Sequence, residues 1–134
     1  MGMVTVGLNH FLDTELHAGT PVTTWYVGLI RDDSYSALAA ADTMASHAGW
    51  QEGDEYTGTR PAYVEAAASS AVTTNSASKA EFAINDTETM KGAFLVSDAS
   101  GTAGVLLCTG LFTGGDQAVS SGDTLRVTVA ITAS

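Results

Sequence analysis

The sequence is poor in three kinds of residue, namely cysteine, proline and basic side chains. Its 134 residues include one cysteine, two prolines and five lysines plus arginines. Because a single thiol has no partner within the chain, an intramolecular disulfide framework is excluded. Cys108 itself ends the apolar run at 104–108, where a thiol usually packs as a small core hydrophobe.

The few basic residues face 15 acidic ones, which gives a formal net charge of −10. Binding to nucleic acid needs lysines and arginines clustered on one surface. Here they are scattered along the chain, as Arg31, Arg60, Lys79, Lys91 and Arg126. We therefore expect no nucleic-acid partner.

Long hydrophobic runs are also missing. No apolar stretch approaches the roughly 20 residues that a transmembrane helix needs, and the first residues lack the charged and apolar regions of a signal peptide. We expect no membrane partner and synthesis in the cytoplasm. Charged residues make up only 15% of the chain. A surface poor in charge is less protected against association, which fits a protein covered by partners and fits a compact β domain as well.

What remains is a pattern of strands. Residues 22–30 are rich in β-branched and aromatic types, with Trp25 and Val27 on one face and Tyr26 and Ile30 on the other. Both faces are apolar, so we predict a central strand covered on both sides. Residues 124–131 alternate apolar and polar, which predicts a half-buried strand with Val127 in the core.

The remaining segments predict short elements. Leu8, Phe11, Leu12 and Leu16 recur every three or four residues, so 7–17 should form a helix with one apolar stripe, a natural cover for the central strand. The Ala-rich segment 36–48 predicts a second helix. Segment 66–78 is either a polar loop or an edge strand, and further strands are predicted at 60–64, 81–84, 91–96 and 104–108. With six to eight strands, residues 1–134 should form a single mainly β domain, a jelly-roll-like β-sandwich with one or two short helices.

No segment carries a convincing catalytic or metal motif. His10, Asp13 and His17 share one face of the predicted helix, but no second segment supplies ligands, so we interpret them as a solvated helix face and expect no metal. Asp32–Asp33 and the acidic residues at 52–55 lack the calcium-loop pattern and are interpreted as solvated turns. The sequence has no nucleophile elbow or phosphate loop. We expect no enzyme activity and no cofactor.

The best candidates for a contact lie in the irregular region 49–60. It is acidic and punctuated by glycine, yet it contains Trp50, Tyr56 and Arg60, residue types enriched at interface hot spots. Long irregular segments are often functional. We predict that these three residues contact a partner; the alternative is that Trp50 folds back over the first helix and belongs to the core.

Several segments together resemble a known group of proteins. They are the helix with Leu8-Asn9 and Leu12-Asp13, the strand 24–30, Arg60-Pro61, 75–77, Phe82, 92–95 and 119–125. In this order they resemble small virion proteins of tailed bacteriophages, a group similar to the jelly-roll cement (decoration) proteins of capsids. The resemblance covers nearly the whole chain, and its motifs are structural.

The resemblance implies a setting. It implies a homo-oligomer, dimer or trimer, on the outer surface of the capsid, where it would bind the major capsid protein and stabilise the shell. An alternative is a tail- or fibre-associated protein that binds a host surface glycan. A sugar-modifying or metal-dependent enzyme is a third, weaker reading.

Overall fold

Antiparallel strands are the main regular elements of the computed structural model, which describes residues 1–133. The fold is mainly β, with 37% of residues in strands and 9% in one helix. This confirms the mainly β part of the predicted fold, and the short strands raise the count above the six to eight expected. The elements are β1 (Gly2–Met3), α1 (Thr5–Leu16), β2 (Tyr26–Arg31), β3 (Gln51–Gly53), β4 (Val72–Thr74), β5 (Ala80–Ala83), β6 (Glu88–Val96), β7 (Leu106–Leu111), β8 (Gln117–Val119), β9 (Thr124–Val127) and β10 (Ala130–Thr132).

The larger sheet is organised around β6 and β2. Its strand order is β1-β7-β6-β2-β3, and β8 pairs with the first residues of β6 beside the end of β7. β2 therefore lies between two strands, and its residues from Val27 to Ile30 are all buried. The prediction of a central strand covered on both sides is confirmed, although the strand begins at Tyr26 rather than at residue 22.

A second, narrow layer is a two-stranded ribbon, which we define as residues 72–83 paired with 124–132. β4 pairs with β10 and β5 pairs with β9, both antiparallel. The predicted strand at 124–131 is thus interrupted between Val127 and Ala130. At the interruption the side chain of Asn75 replaces a strand neighbour: its Nδ2 donates to the Val127 carbonyl (3.2 Å), and the Val129 N–H donates to its Oδ1 (2.7 Å).

The two faces of the larger sheet pack into two separate cores, because successive side chains of a strand point to opposite sides. On one face, Val27 and Leu95 pack against Phe82 and Val127 of the ribbon. On the other face Ile30, Phe94 and Val96 pack with Val4, Met44 and Trp50 from the helix end and the 35–50 segment. The larger sheet is thus covered on both sides.

The helix docks with the face opposite to the one expected. Gly7 is its buried residue, and a Cβ there would overlap the carbonyl of Leu107, so the absence of a side chain lets the helix lie directly on β7. The apolar stripe points outward instead. The exposed fractions are 47% for Leu8, 45% for Phe11, 55% for Leu12 and 80% for Leu16.

The predicted second helix at 36–48 is wrong. This segment forms turns and one small bridge between Thr43 and Ser46. The Asp42 carboxylate accepts from the Ala39 N–H and from the indole N–H of Trp50, at 2.9 Å each. A side chain that binds nearby backbone competes with helical hydrogen bonding, and Met44 is held in the core.

Two further segments differ in detail. Residues 60–64 run beside the start of β2 rather than forming a strand: the Val27 N–H donates to the Pro61 carbonyl (2.9 Å) and the Tyr63 N–H to the Trp25 carbonyl (2.7 Å). In 66–78 both predicted alternatives occur, because a loop precedes the short strand β4.

Candidate interaction surfaces

Trp50 lies in the interior of the folded protein. Only 2% of the residue is exposed, and its indole N–H donates to Asp42 at 2.9 Å. Its ring stacks on the imidazole of His47 at 3.8 Å between centroids and lies 5.2 Å from the Phe94 ring. This burial argues against a direct contact between Trp50 and a partner.

Arg60 is also enclosed, with 4% of the residue exposed. Its guanidinium makes a two-point ion pair with Glu52 (Nε–Oε1 2.7 Å, Nη2–Oε2 2.6 Å) and donates to the carbonyls of Asp98 and Gly101 at 2.9 Å each. Such charge-assisted, forked bonds fix geometry strongly. Arg60 therefore ties β3 to the turn at 98–101.

Tyr56 is the one member of the predicted trio that is partly open. Its ring lies edge-on to Phe82, at 4.9 Å. Burial, and next the nearby Glu52 carboxylate, raise the pKa of its hydroxyl to about 12. A partner contact by these three residues stays a prediction, and Tyr56 is its accessible point. The sequence could not separate the two roles, because tryptophan and arginine serve cores and interfaces alike.

The thiol of Cys108 and the ring of His10 both pack against neighbouring residues. Burial raises the pKa of the Cys108 thiol to about 12, so it stays protonated near neutral pH. The His10 ring lies edge-on to Trp25, 5.6 Å away. Among residues 1–133 no three side chains of His, Cys, Asp or Glu are grouped to hold a metal ion.

The acidic turns form ion pairs rather than only facing solvent. The Lys91 ammonium lies 2.9 Å from Asp32 and 2.8 Å from Asp116, and these two hydrogen-bonded carboxylates, Asp116 first, raise its pKa. Arg31 pairs with Glu55 at 2.8 Å. These pairs hold the turns at the edge of the larger sheet in place.

A cleft of about 600 Å³ lies between the end of β7 and the outer edge of the ribbon. Met1 stands at its border, and Leu111 is 48% exposed there. Its apolar lining is formed by Ala93, Leu111, Phe112, Leu125, Val127 and Val129. The sequence did not predict it, because its lining residues come from separate strands that meet only through the topology.

One wall of the cleft is an open strand edge. The Val127 carbonyl and the Val129 N–H both point toward Asn75. Since backbone groups alternate in direction along an extended strand, those of Arg126, Thr128 and Ala130 point the other way. All three residues line the cleft.

A second surface is the exposed face of α1, which we call the helix stripe and define as Leu8, Phe11, Leu12 and Leu16. The spacing of three and four residues revealed the stripe in the sequence. The stripe faces away from the sheet because Gly7 is the residue buried against β7. In the part of the chain described, no helix is long and apolar enough to span a bilayer.

Comparison with known proteins adds no identity. The chain matches no protein-family model, and no curated protein is significantly similar to it.

Proposed function

We propose that this chain is a cement (decoration) protein of a tailed-bacteriophage capsid, which binds the major capsid protein on the outer surface of the shell and stabilises it. The observation that carries the proposal is the cleft, where an apolar floor adjoins an open strand edge. The net charge of −10 supports an external position away from packaged DNA.

The cleft suits an extended segment of the major capsid protein. Such a segment adds as a strand: its backbone pairs with Arg126, Thr128 and Ala130, and alternate side chains lie on the apolar floor. A specific contact of standard size buries roughly 1,600 Å². Many symmetric copies on one shell then add avidity.

The proposal also covers the detailed architecture of the fold, the place where the protein is made and the form in which it acts. The larger sheet and the ribbon, which share the core of Val27, Phe82 and Val127, would form a jelly-roll-like sandwich. The protein would be made in the host cytoplasm, act as a homo-oligomer without enzyme activity or cofactor, and bind neither nucleic acid nor membrane.

The glycan-binding alternative has less support. A sugar platform needs aromatic faces open to solvent, whereas Trp50 and Tyr63 are 2% and 6% exposed, and Trp25 packs partly against the core. The apolar cleft has the chemistry of a protein-binding groove.

The test uses two substitutions at one position of the open edge. Thr128→Pro removes the N–H that points into the cleft, whereas Thr128→Val keeps it, and an edge position tolerates proline. We expect the native protein and Thr128→Val to cosediment with heads that lack the protein. Thr128→Pro should bind about tenfold more weakly or worse, since strand addition depends on main-chain hydrogen bonds, with a melting temperature close to that of Thr128→Val.

Two results would contradict the proposal. If Thr128→Pro folds and binds heads like the native protein, strand addition at this edge is wrong. If the native protein does not bind such heads, or if a labelled antibody marks only the tail tip of virions, the cement function itself is wrong.

A further inference from the structure

We propose that the extended segment bound in the cleft carries an aspartate or glutamate opposite Arg126, within a sequence that otherwise alternates apolar and polar residues. This inference deepens the proposed function, because it names the chemistry of the partner segment. It rests on strand addition at the cleft and does not require that the partner be a capsid protein.

The ribbon has one edge that the chain itself leaves open. On the opposite edge, the Thr57 N–H donates to the Ala83 carbonyl (2.9 Å) and the Ala66 N–H donates to the Thr74 carbonyl (3.0 Å). Along 126–130, no backbone group of the described part of the chain pairs on the cleft side. An open edge of this kind is a template for another strand, so the cleft is the place where the ribbon can be extended.

The side chains along the open edge divide between two faces. Val127 and Val129 are buried in the core, whereas Arg126 and Thr128 are exposed. Residues that lie directly opposite each other in neighbouring strands share a face of the sheet. In an added strand, the residue opposite Val127 therefore points to the apolar floor, and the residue opposite Arg126 lies beside the guanidinium.

Arg126 gives the cleft a charge opposite to that of the whole protein. Among the described residues that line the cleft, it has the only charged side chain, although the formal net charge of the chain is −10. Its side chain is 59% exposed, and its Nε donates to Oε1 of Glu81 at 2.7 Å. A guanidinium has five N–H donors, so both terminal nitrogens remain for a second carboxylate.

A carboxylate on the added strand would continue a pairing that already exists. Glu81 and Arg126 lie directly opposite each other in the β5–β9 pair, and the added residue lies opposite Arg126 on its other side. Exposed acidic residues farther away have little influence, because salt screens charges beyond about 8 Å at physiological ionic strength. Opposite charges in facing positions favour strand pairing and like charges disfavour it. The cleft should therefore prefer an acidic residue at this position and reject a basic one.

The experiments use a double variant, Glu81→Arg with Arg126→Glu, in which the two partners of the ion pair are exchanged. The variant keeps the net charge of −10 and places opposite charges at the same two positions. Because the side chains are 58% and 59% exposed, its melting temperature should stay close to that of the native protein. The sign of the charge that lines the cleft is inverted.

The first measurement selects peptides of about ten residues, the length of a long strand, from a random displayed library, with Thr128→Pro as the counter-selection. The native protein should enrich alternating peptides with Asp or Glu at one fixed polar position, and the double variant should enrich Lys or Arg there. Changing that acidic residue to Lys should weaken binding to the native protein about threefold or more. No enrichment, enriched peptides without the acidic position, or the same preference in both proteins overturns the proposal.

The second measurement separates this inference from the cement function. In cosedimentation, heads that lack the protein should bind the native protein about threefold or more tightly than the double variant. Equal binding of these two, with binding lost in Thr128→Pro, overturns the acidic partner residue and leaves the cement function standing. If the native protein does not bind heads, the cement function is wrong, and the peptide selection still decides this inference.

A single substitution replaces the double variant if that variant melts well below the native protein. Arg126→Gln and its matched control Lys79→Gln each remove one positive charge, and Lys79 is exposed and lies outside the cleft. In the peptide selection, Arg126→Gln should lose the preference for an acidic residue and Lys79→Gln should keep it. An unchanged preference in Arg126→Gln overturns the proposal.

Discussion

Gly28 lies directly beneath the ring of Phe94, its neighbour across the β2–β6 pair. A Cβ at this position would overlap the ring, and both residues are fully buried within a packed sheet. We expect Gly28→Ala to lower the free energy of unfolding by about 1–3 kcal/mol, the usual cost of overpacking a core. Urea denaturation measures the loss.

The control for this substitution is Gly114→Ala. Gly114 lies in the turn after β7 and has no atom within 4 Å of an added Cβ, so its stability should stay within about 0.5 kcal/mol of the native value. If the two variants are equally stable, the ring of Phe94 moves aside and the fit is not the constraint.

At the scale of residues, alternation was the most informative signal. It placed Val127 and Val129 in the core and Thr128 at the surface, as observed. For Trp50 and Arg60 the sequence did not show whether the side chain is buried or exposed. The stacking of Trp50 on His47 and the ion pair of Arg60 with Glu52 depend on residues brought together by folding.

The ribbon depends on one side chain, since Asn75 joins the two halves of its broken strand. Asn75 is 1% exposed, and its amide satisfies the Val127 carbonyl and the Val129 N–H. Asn75→Ala should leave both backbone groups without this partner and lower the free energy of unfolding by about 2–4 kcal/mol. Thermal and urea unfolding measure the effect.

The neighbouring exposed Ser76 offers a matched control, because Ser76→Ala removes no hydrogen bond of the ribbon. Asn75→Asp should be at least as destabilising as Asn75→Ala at neutral pH, since it keeps the acceptor for Val129 but buries a carboxylate oxygen against the Val127 carbonyl. Equal stability of Asn75→Ala and Ser76→Ala would show that water replaces the amide at no cost.

Among the elements, β2 and β9 were predictable because their apolar pattern coincides with their burial. Segment 36–48 was not, because its alanines favour a helix locally, while Asp42 binds the Ala39 N–H and the Trp50 indole and Met44 packs into the core. The helix α1 was predicted, but the face by which it docks was predicted wrongly. Hydrophobic spacing cannot show that Gly7 allows a closer approach to β7 than the leucines do.

The molecule as a whole should lose stability in alkali. Burial raises the pKa of Cys108 and of Tyr56 to about 12, and raises the pKa of Tyr63. Between about pH 9 and 12 the unfolded chain ionises at these groups first, so the folded state holds more protons. Stability is therefore complete below about pH 8 and should fall as pH rises through that window, as urea midpoints at several pH values will show.

Cys108→Ala identifies the largest contributor. Each variant is compared with its own stability at pH 7, so the small cavity does not affect the comparison. The alkaline fall should be shallower without the thiol. Equal falls in both proteins, or no fall up to pH 11, would mean that burial does not hold these groups neutral.

The class of the whole fold followed from composition and alternation, because many short alternating segments with turns between them favour a mainly β chain. The cleft did not follow, since its two walls come from β7 and from the ribbon, and only the order of strands in space sets them side by side.

The pairing of each tryptophan with a histidine has an optical consequence. Trp50 lies in a core against His47, whereas Trp25 touches α1 through His10. Fluorescence of a Trp25→Phe protein thus follows melting of the interior alone. In a Trp50→Phe protein the remaining emission comes from Trp25 and reports how the helix is docked through His10.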